Sequence, residues 1–316
     1  MSDAFSQVAL VGGGIMGGDI AAVFASGNWK VHIAEPSESV RKGIPEKVGT
    51  ALRKAYGADK GGAVHIYPSL DDIPWPDISL VVECVTEDLD LKRDIFRRLE
   101  EHTEPSTPLA SNSSGIPISR IAEGLATRSR MLGLHFFMPA HLVPLVEVIC
   151  SSSTDPSVAD SVSETMKSLG KRPVKVSLDI PGFLANRIQH ALMREALWLV
   201  ERGIASVEDV DAAVRYGFGF RFIAAGPFLQ KDFSGLDTLF AAARTIYPDL
   251  CNARAPSPFL KSKVDQGHTG VKGGKGFYSW TESDWNREKK AYERRLRAAL
   301  DILTADEMDD KPGVTQ

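Results

Sequence analysis

Cysteine is scarce. Cys84, Cys150 and Cys251 are the only three in 316 residues, and they stand too far apart for the close pairs of a zinc or dithiol redox site. An odd, dispersed set fits a reducing compartment. Also missing is any run of about 20 apolar residues, the length a membrane-spanning helix needs, and the first residues carry no basic region followed by an apolar stretch. A cytoplasmic protein with no membrane attachment is the expectation. Positive charge is not in excess either: 37 Lys and Arg face 41 Asp and Glu, a formal charge of -4, which supplies no bulk attraction for nucleic acid or anionic lipid. With 27 Gly and 18 Pro the chain is neither collagenous nor of low complexity, and 43% hydrophobic residues are enough for a packed core. The length implies about two domains.

What is present begins with an alternation of elements. Residues 7–11 are a short apolar run of the kind a strand buried on both faces requires, residues 31–34 read as a second strand, and a small-residue helix lies between them. Further runs at 80–82, 109–110, 131–137 and 145–149 read as strands, with helices over 89–101 and 118–125. This order implies an α/β, doubly wound, mostly parallel sheet over residues 1–180. Pro181 and Gly182 punctuate the chain, and from there apolar residues recur at helical spacing, at Leu184, Ile188, Leu192 and Leu197. An all-α domain over 181–316 is expected, with helix starts at Ser206 and near Ser234 and an amphipathic helix over 284–303.

The first strand runs into Gly12-Gly13-Gly14-Ile15-Met16-Gly17. A glycine cluster alone says little, but a strand before it and a helix after it make it a dinucleotide turn. Gly12 permits the turn, Gly14 lets the backbone approach a pyrophosphate, and Gly17 lets helix pack on strand, so phosphate meets the helix N-terminus. Glu35 follows the second strand. A carboxylate there accepts hydrogen bonds from both ribose hydroxyls and repels a 2′-phosphate, which favours NAD over NADP.

Nucleotide binding does not specify a reaction. His135 ends one expected strand and Glu147 lies within the next. If the strands are neighbours, the carboxylate can orient the imidazole and make it a base for a substrate hydroxyl. The plainer alternatives are a structural histidine and an arginine-paired glutamate.

Seven motifs in order connect the chain to a known family: the turn with Met16, Val85-Thr86-Glu87-Asp88-Leu89-Asp90-Leu91-Lys92, Ala110-Ser111-Asn112-Ser113-Ser114, the His135 and Glu147 stretch, Pro181-Gly182-Phe183-Leu184-Ala185-Asn186-Arg187, Gly235-Leu236-Asp237-Thr238, and Lys272-Gly273-Gly274-Lys275-Gly276-Phe277-Tyr278. Over nearly its whole length the sequence resembles the L-3-hydroxyacyl-CoA dehydrogenases. The resemblance implies an NAD-dependent oxidoreductase with His135 as general acid and base and Glu147 as its orienting partner. It implies Ser114 and Asn186 around the reacting oxygen, with Ser113 as the alternative serine one place earlier. Ile15 and Met16 of the turn join the cofactor set, and Glu87, Lys92 and Lys272 are implied near its nicotinamide half. The family's usual assembly implies a homodimer through the helical domain.

Three departures bear on the substrate. The segment between Glu35 and Leu80 is shorter than in the acyl-CoA enzymes, whose extra helical hairpin helps to cradle CoA, although Arg41, Lys42, Lys47, Arg53, Lys54 and Lys60 remain as possible phosphate contacts. Gly219-Phe220-Arg221-Phe222-Ile223-Ala224-Ala225-Gly226-Pro227 replaces a shorter link and looks more like the carnitine, gulonate and pyridine-carboxylate dehydrogenases, with Arg221 able to pair a carboxylate. Met138 stands where the family usually has Asn. The expectation is oxidation of a free hydroxy acid or related alcohol. A short-chain acyl-CoA thioester is the alternative, and a non-catalytic NAD-binding structural protein is a third reading.

Overall fold

A computed structural model describes residues 6–57 and 61–309. The chain divides into two compact units, the first ending at Arg187 and the second beginning at Ile188.

The first unit is built on one eight-stranded sheet. Its elements are β1 (Gln7–Val11), α1 (Ile15–Ser26), β2 (Lys30–Ala34), α2 (Glu38–Tyr56), β3 (Val64–Tyr67), β4 (Leu80–Glu83), α3 (Leu89–His102), β5 (Leu109–Ser111), α4 (Ile118–Ile121), β6 (Met131–Phe136), β7 (Leu145–Ile149), α5 (Pro156–Ser168) and β8 (Arg172–Val176). Spatial order is β3-β2-β1-β4-β5-β6-β7-β8, so the sheet reverses direction of growth between β1 and β4, the place where open α/β sheets bind ligands. Every neighbouring pair is parallel except β6 and β7, which run antiparallel. The α/β doubly wound architecture read from the sequence is the one observed.

Strand alternation builds a core on each face. Val8, Leu10, Leu132, Leu134 and Val148 pack with α1, α2 and α5, while Ala9, Val11, Val81, Met131 and Ile149 pack with α3 and α4. Ser37, Asp88 and Asp155 cap α2, α3 and α5 through the amides of Val40, Leu91 and Ser157. Strands β3 and β8 complete the sheet, and neither they nor α5 stood out in the sequence as separate elements. The helix expected over 118–125 stops at Ile121, before the left-handed Gly124.

The second unit is helical and takes in most of α6 (Ala185–Glu201). It continues through α7 (Val207–Ala213), a wide π turn at Val214–Phe218, α8 (Gly219–Arg221), α9 (Pro227–Ser234), α10 (Leu236–Ile246), α11 (Pro258–Asp265) and α12 (Glu282–Asp309). Ser206 caps α7 as expected from the sequence, accepting from the Asp209 amide at 3.0 Å. Leu197 is the one buried large apolar side chain of this unit among the described residues.

Candidate active site

The glycine turn sits at the carboxyl end of β1, and each glycine has a separate physical reason. Gly12 adopts φ +102°, closed to side-chain-bearing residues at low cost, and a methyl group there would press on the Cys84 backbone at 3.1 Å. A Cβ on Gly17 would stand 1.9 Å from the Gly12 carbonyl oxygen, so α1 can lie on β1 only without one. A Cβ on Gly14 would meet nothing within 4 Å: this is the open side, where the first amides of α1 point with no side chain capping them. Ile15 is exposed beside it and Met16 is partly buried.

Glu35 follows β2 and is nearly buried. Its Oε2 accepts the Gly13 amide at 2.8 Å and its Oε1 the Ser37 amide at 2.9 Å, which locks the carboxylate against the turn while a lone pair on each oxygen stays available. A cleft of about 460 Å³ runs from Gly12 and Gly14 past Glu35 to Pro36, Leu70 and Arg98. An uncapped helix N-terminus, a carboxylate held at ribose distance from it and an apolar slot beyond fit the adenosine diphosphate half of NAD.

At the ends of β4 and β5 lies a group of charges that sequence reading resolved only in part. Lys92, expected near the nicotinamide half, is 1% exposed and turned inward: its Nζ donates to both oxygens of the wholly buried Glu83, at 2.8 and 2.9 Å. Glu83 also accepts the Ser111 hydroxyl at 2.7 Å and the Val85 amide at 2.6 Å, so the buried charges are paired and their lone pairs used. A lone acid closing an apolar strand, with a lysine nine residues on in the following helix, was the available sign of this pair. Lys92 also stands 3.5 Å from Glu87 Oε2. The other Glu87 oxygen gathers the Ser113 hydroxyl at 2.5 Å and the amides of Ser114, Gly115 and Ile116. Burial raises the Glu87 carboxyl, but the Ser113 hydroxyl, the Lys92 charge and the Gly115 and Ile116 amides outweigh it and hold it below its ordinary value. Glu87 thereby fixes the loop after β5. In that loop Ser113 is buried and spent on Glu87, whereas Ser114 is exposed.

His135 and Glu147 are register partners across the antiparallel β6 and β7 pair. Nδ1 of His135 is 2.8 Å from Oε2 of Glu147, and both side chains are buried. The second carboxylate oxygen accepts the amides of Leu184 at 3.1 Å and Ala185 at 2.7 Å, the entry to α6. Burial pushes the Glu147 carboxyl up, but the hydrogen bond from His135, the Ala185 amide, the His135 charge and the Leu184 amide together carry it below the ordinary value. An ionised Glu147 accepts a hydrogen bond from Nδ1–H, which leaves Nε2 as the basic nitrogen. Getting two amides onto one carboxylate needs a sharp entry to the helix. Gly182 and Phe183 are both left-handed, at φ +77° and +51°. For a bulky residue such a φ costs roughly 1–3 kcal/mol, held in place here by a Phe183 side chain that is 1% exposed and packs near the imidazole. Asn186, one residue into α6, donates through Nδ2 to the Ser114 carbonyl at 3.1 Å. The structure therefore brings His135, Glu147, Ser114 and Asn186 together within the first unit. Asn112, whose Oδ1 accepts the Phe136 amide at 2.9 Å, pins the end of β6.

Lys272 and Arg221 both belong to the second unit and both are exposed, Lys272 in a glycine-rich turn and Arg221 at the end of α8. Arg221 lines a cavity of about 640 Å³ with Phe220, Ala224, Lys231 and Phe233. Of the basic residues of α2, Arg41 donates to the Glu35 and Pro36 carbonyls, Lys42 pairs with Glu38 and Arg53 donates to Thr50, all nearby in the chain, while Lys47 reaches back to the Gly14 carbonyl of the glycine turn. Lys60 lies outside the described residues.

Comparison with known proteins gives the same reading from an independent direction. The family model for the 3-hydroxyacyl-CoA dehydrogenase NAD binding domain matches residues 7–180, and that for the 3-hydroxyacyl-CoA dehydrogenase C-terminal domain matches residues 182–280. The chain is 32% identical over 303 residues to the 5-formyl-3-hydroxy-2-methylpyridine 4-carboxylate 5-dehydrogenase of Mesorhizobium japonicum, covering 94% of this chain and 98% of that one. It is 36% identical over 292 residues to the 3-hydroxybutyryl-CoA dehydrogenase of Mycobacterium tuberculosis, covering 89% and 100%. Among solved structures, that of a 5-formyl-3-hydroxy-2-methylpyridine 4-carboxylic acid 5-dehydrogenase, described as an NAD+ dependent dismutase, superposes with a TM-score of 0.90 at 30% identity over 95% of this chain and 99% of that one. M. tuberculosis FadB2 superposes with a TM-score of 0.71 at 34% identity over 88% and 100%. A glycine turn that fits NAD and a histidine backed by a carboxylate thus occur in a chain whose two halves both match one group of enzymes, and the protein belongs to the 3-hydroxyacyl-CoA dehydrogenase family, as an NAD-dependent oxidoreductase acting on CH–OH groups.

Proposed function

We propose that the substrate is a small free acid carrying the hydroxyl to be oxidised, with His135 as the base. The observation that carries the chemistry is the 2.8 Å contact of His135 Nδ1 with a buried, ionised Glu147. NAD, when bound, supplies the acceptor for the hydride that leaves the carbinol carbon. His135 Nε2 takes the hydroxyl proton, and Glu147 stabilises the imidazolium that results. The Ser114 hydroxyl and the second N–H of the Asn186 amide hold the oxygen as it passes from alcohol to carbonyl. A positioned base of this kind contributes roughly 10²- to 10⁴-fold in rate. Glu87 and Lys92 act as positioning groups near the nicotinamide half, and Gly12, Gly14, Ile15, Met16, Gly17 and Glu35 hold the rest of the cofactor; the family likeness adds Lys272 to the cofactor set.

The free-acid reading draws on Arg221, on the local engagement of Arg41 and Lys42, and on the TM-score of 0.90 to a pyridine carboxylate enzyme against 0.71 to FadB2. A CoA thioester is the second reading, supported by 36% identity to a 3-hydroxybutyryl-CoA dehydrogenase. We take residues 1–180 as the NAD-binding domain and 181–316 as the substrate and dimerisation domain of a cytoplasmic homodimer. NADH formation from a panel of free hydroxy acids, pyridine carboxylates, carnitine, gulonate and short 3-hydroxyacyl-CoA thioesters tests the proposal. His135→Ala should abolish most turnover on the best substrate, and Arg221→Met should harm free acids far more than thioesters. Full turnover by His135→Ala, or equal losses from Arg221→Met, would overturn the respective assignments.

A further inference from the structure

Between His135 and Glu147 the chain makes a compact turn over residues 139–143, in which the amides of Leu142 and Val143 both donate to the Pro139 carbonyl at 3.0 Å. Ala140 and Leu142 are buried there, so the remaining backbone groups of the turn need partners inside the protein. Two buried charges supply them. Asp19, in the second turn of α1 and 7% exposed, accepts the Ala140 amide through Oδ2 at 3.2 Å. Lys171, just ahead of β8 and 4% exposed, donates to the Ala140 carbonyl at 2.5 Å and the Val143 carbonyl at 3.1 Å. The flanking peptides of one residue are therefore strung between an anion and a cation.

Neither charge is placed by packing alone. Asp19 is an isolated acid in a helix otherwise made of Gly17, Gly18, Ile20, Ala21 and Ala22 on its buried side. Burial drives the Lys171 ammonium down to about 8, with Asp19 opposing the shift. His141, next in the turn, sets Nδ1 3.3 Å from Asp19 Oδ1, and both of its ring nitrogens are sealed from solvent without a hydrogen bond.

The location gives these charges a role. Phe137, between His135 and the turn, packs on the imidazole with ring centroids 4.5 Å apart, and the other end of the turn leads into β7 and Glu147. On the opposite side, Asp19 lies one helical turn beyond Ile15, at the uncapped N-terminus of α1 that would hold the cofactor phosphates. We propose that Asp19 and Lys171 are positioning residues, which fasten the 139–143 turn to the cofactor-binding helix and so set His135 at its working distance from the nicotinamide. This rests on His135 being the base.

The test is steady-state kinetics with the best substrate of the panel, together with NADH fluorescence titration, on Asp19→Ala, Asp19→Asn, Lys171→Met and the double variant Asp19→Ala/Lys171→Met. Misplacing a catalytic group by about 1 Å costs on the order of 10²-fold, so the two single losses should lower kcat by about 10- to 100-fold. Substrate KM and the NADH Kd should stay within about threefold of wild type, as for an interaction realised in the transition state. Asp19→Asn keeps an oxygen acceptor for the Ala140 amide and should recover kcat to within about threefold, while the double variant should be no worse than the poorer single one, because both groups act on one turn. Unchanged kcat in both single variants, a loss carried by KM or by NADH affinity, failure of Asp19→Asn to recover, or additive losses would each overturn the proposal. If Asp19→Ala and Lys171→Met do not fold, Asp19→Ser and Lys171→Gln are read by the same criteria. His135→Ala run in parallel separates the two failures. Full turnover there removes the base and the positioning claim together, whereas lost turnover there with intact kcat at Asp19 and Lys171 removes the positioning claim alone.

Discussion

Glu147 shows how one side chain acquires its charge state from its partners. A carboxylate taken from water and left alone would be neutral, yet the imidazole and two amides at the head of α6 keep this one ionised. Its folded-state carboxyl titrates below the unfolded value, so its contribution to stability is fully present above the unfolded value of about 4.3 and is lost as pH falls through the folded one. Glu147→Gln should lower kcat by roughly 10²-fold or more, with NADH affinity unchanged by fluorescence titration. It should also flatten the acid limb of the melting temperature below pH 4.3 relative to wild type. Oxidation releases a proton, so alkaline conditions should favour ketone formation and acidic conditions the reverse, in NADH progress curves run in both directions. Asn186 came only with the family resemblance, whereas His135 and Glu147 were legible as candidates, because a histidine and a glutamate in successive apolar runs stand out in one dimension. The choice between Ser113 and Ser114 was not, since it depends on which hydroxyl Glu87 captures.

Among the elements, the strand and helix around the glycine turn depend on a contact that admits no extra atom. Gly17→Ala would put a methyl group 1.9 Å from the Gly12 oxygen, against rigid backbone, and should unfold the first domain or lower its melting temperature sharply by circular dichroism. Gly14→Ala meets open space and has an ordinary φ, so it should melt near wild type while weakening NADH binding, the methyl group standing where phosphate approaches. Similar losses of NADH affinity and stability in both variants would contradict this division. The β1, β2 and β3 edge carries a second, acid-sensitive element. His32 is buried between the Tyr67 hydroxyl at 3.0 Å and Gln7 Oε1 at 2.8 Å, with His65 stacked beside it. Burial first, then the charges of Lys30 and His65, lowers it from 6.5 to about 4. The unfolded chain therefore binds one more proton between those values, and stability should fall as pH drops from 6.5 to about 4. His32→Gln should remove most of that slope in urea melts at successive pH values, and an unchanged slope would contradict the assignment.

For the whole molecule, the two units make opposite use of apolar residues. The first hides them in two cores, one on each face of its sheet. The second leaves Phe228 88%, Phe233 75% and Phe240 67% exposed, more than a stable soluble helical unit presents to water. A second copy of the chain is the expected cover, consistent with the homodimer proposed above. Light scattering should give a dimer for wild type and a concentration-dependent shift toward monomer for Phe228→Asp; a monomeric wild type would refute the expectation. Among the described residues no helix is long and apolar enough to cross a membrane.

The family resemblance, and not local chemistry, singled out His135 and Glu147; local chemistry was enough for the doubly wound architecture and the NAD turn with Glu35. Each depends on spacing within a few residues or on the period of one element: positive φ at Gly12, strand alternation, a carboxylate one strand after the turn. Tertiary structure decided which charges meet. Glu83 with Lys92, Glu87 with Ser113, and Asp19 and Lys171 with the Ala140 peptides join segments separated in the chain. Whether a charge buried in this way is paired depends on the distance between elements once they pack, a quantity that no periodicity encodes.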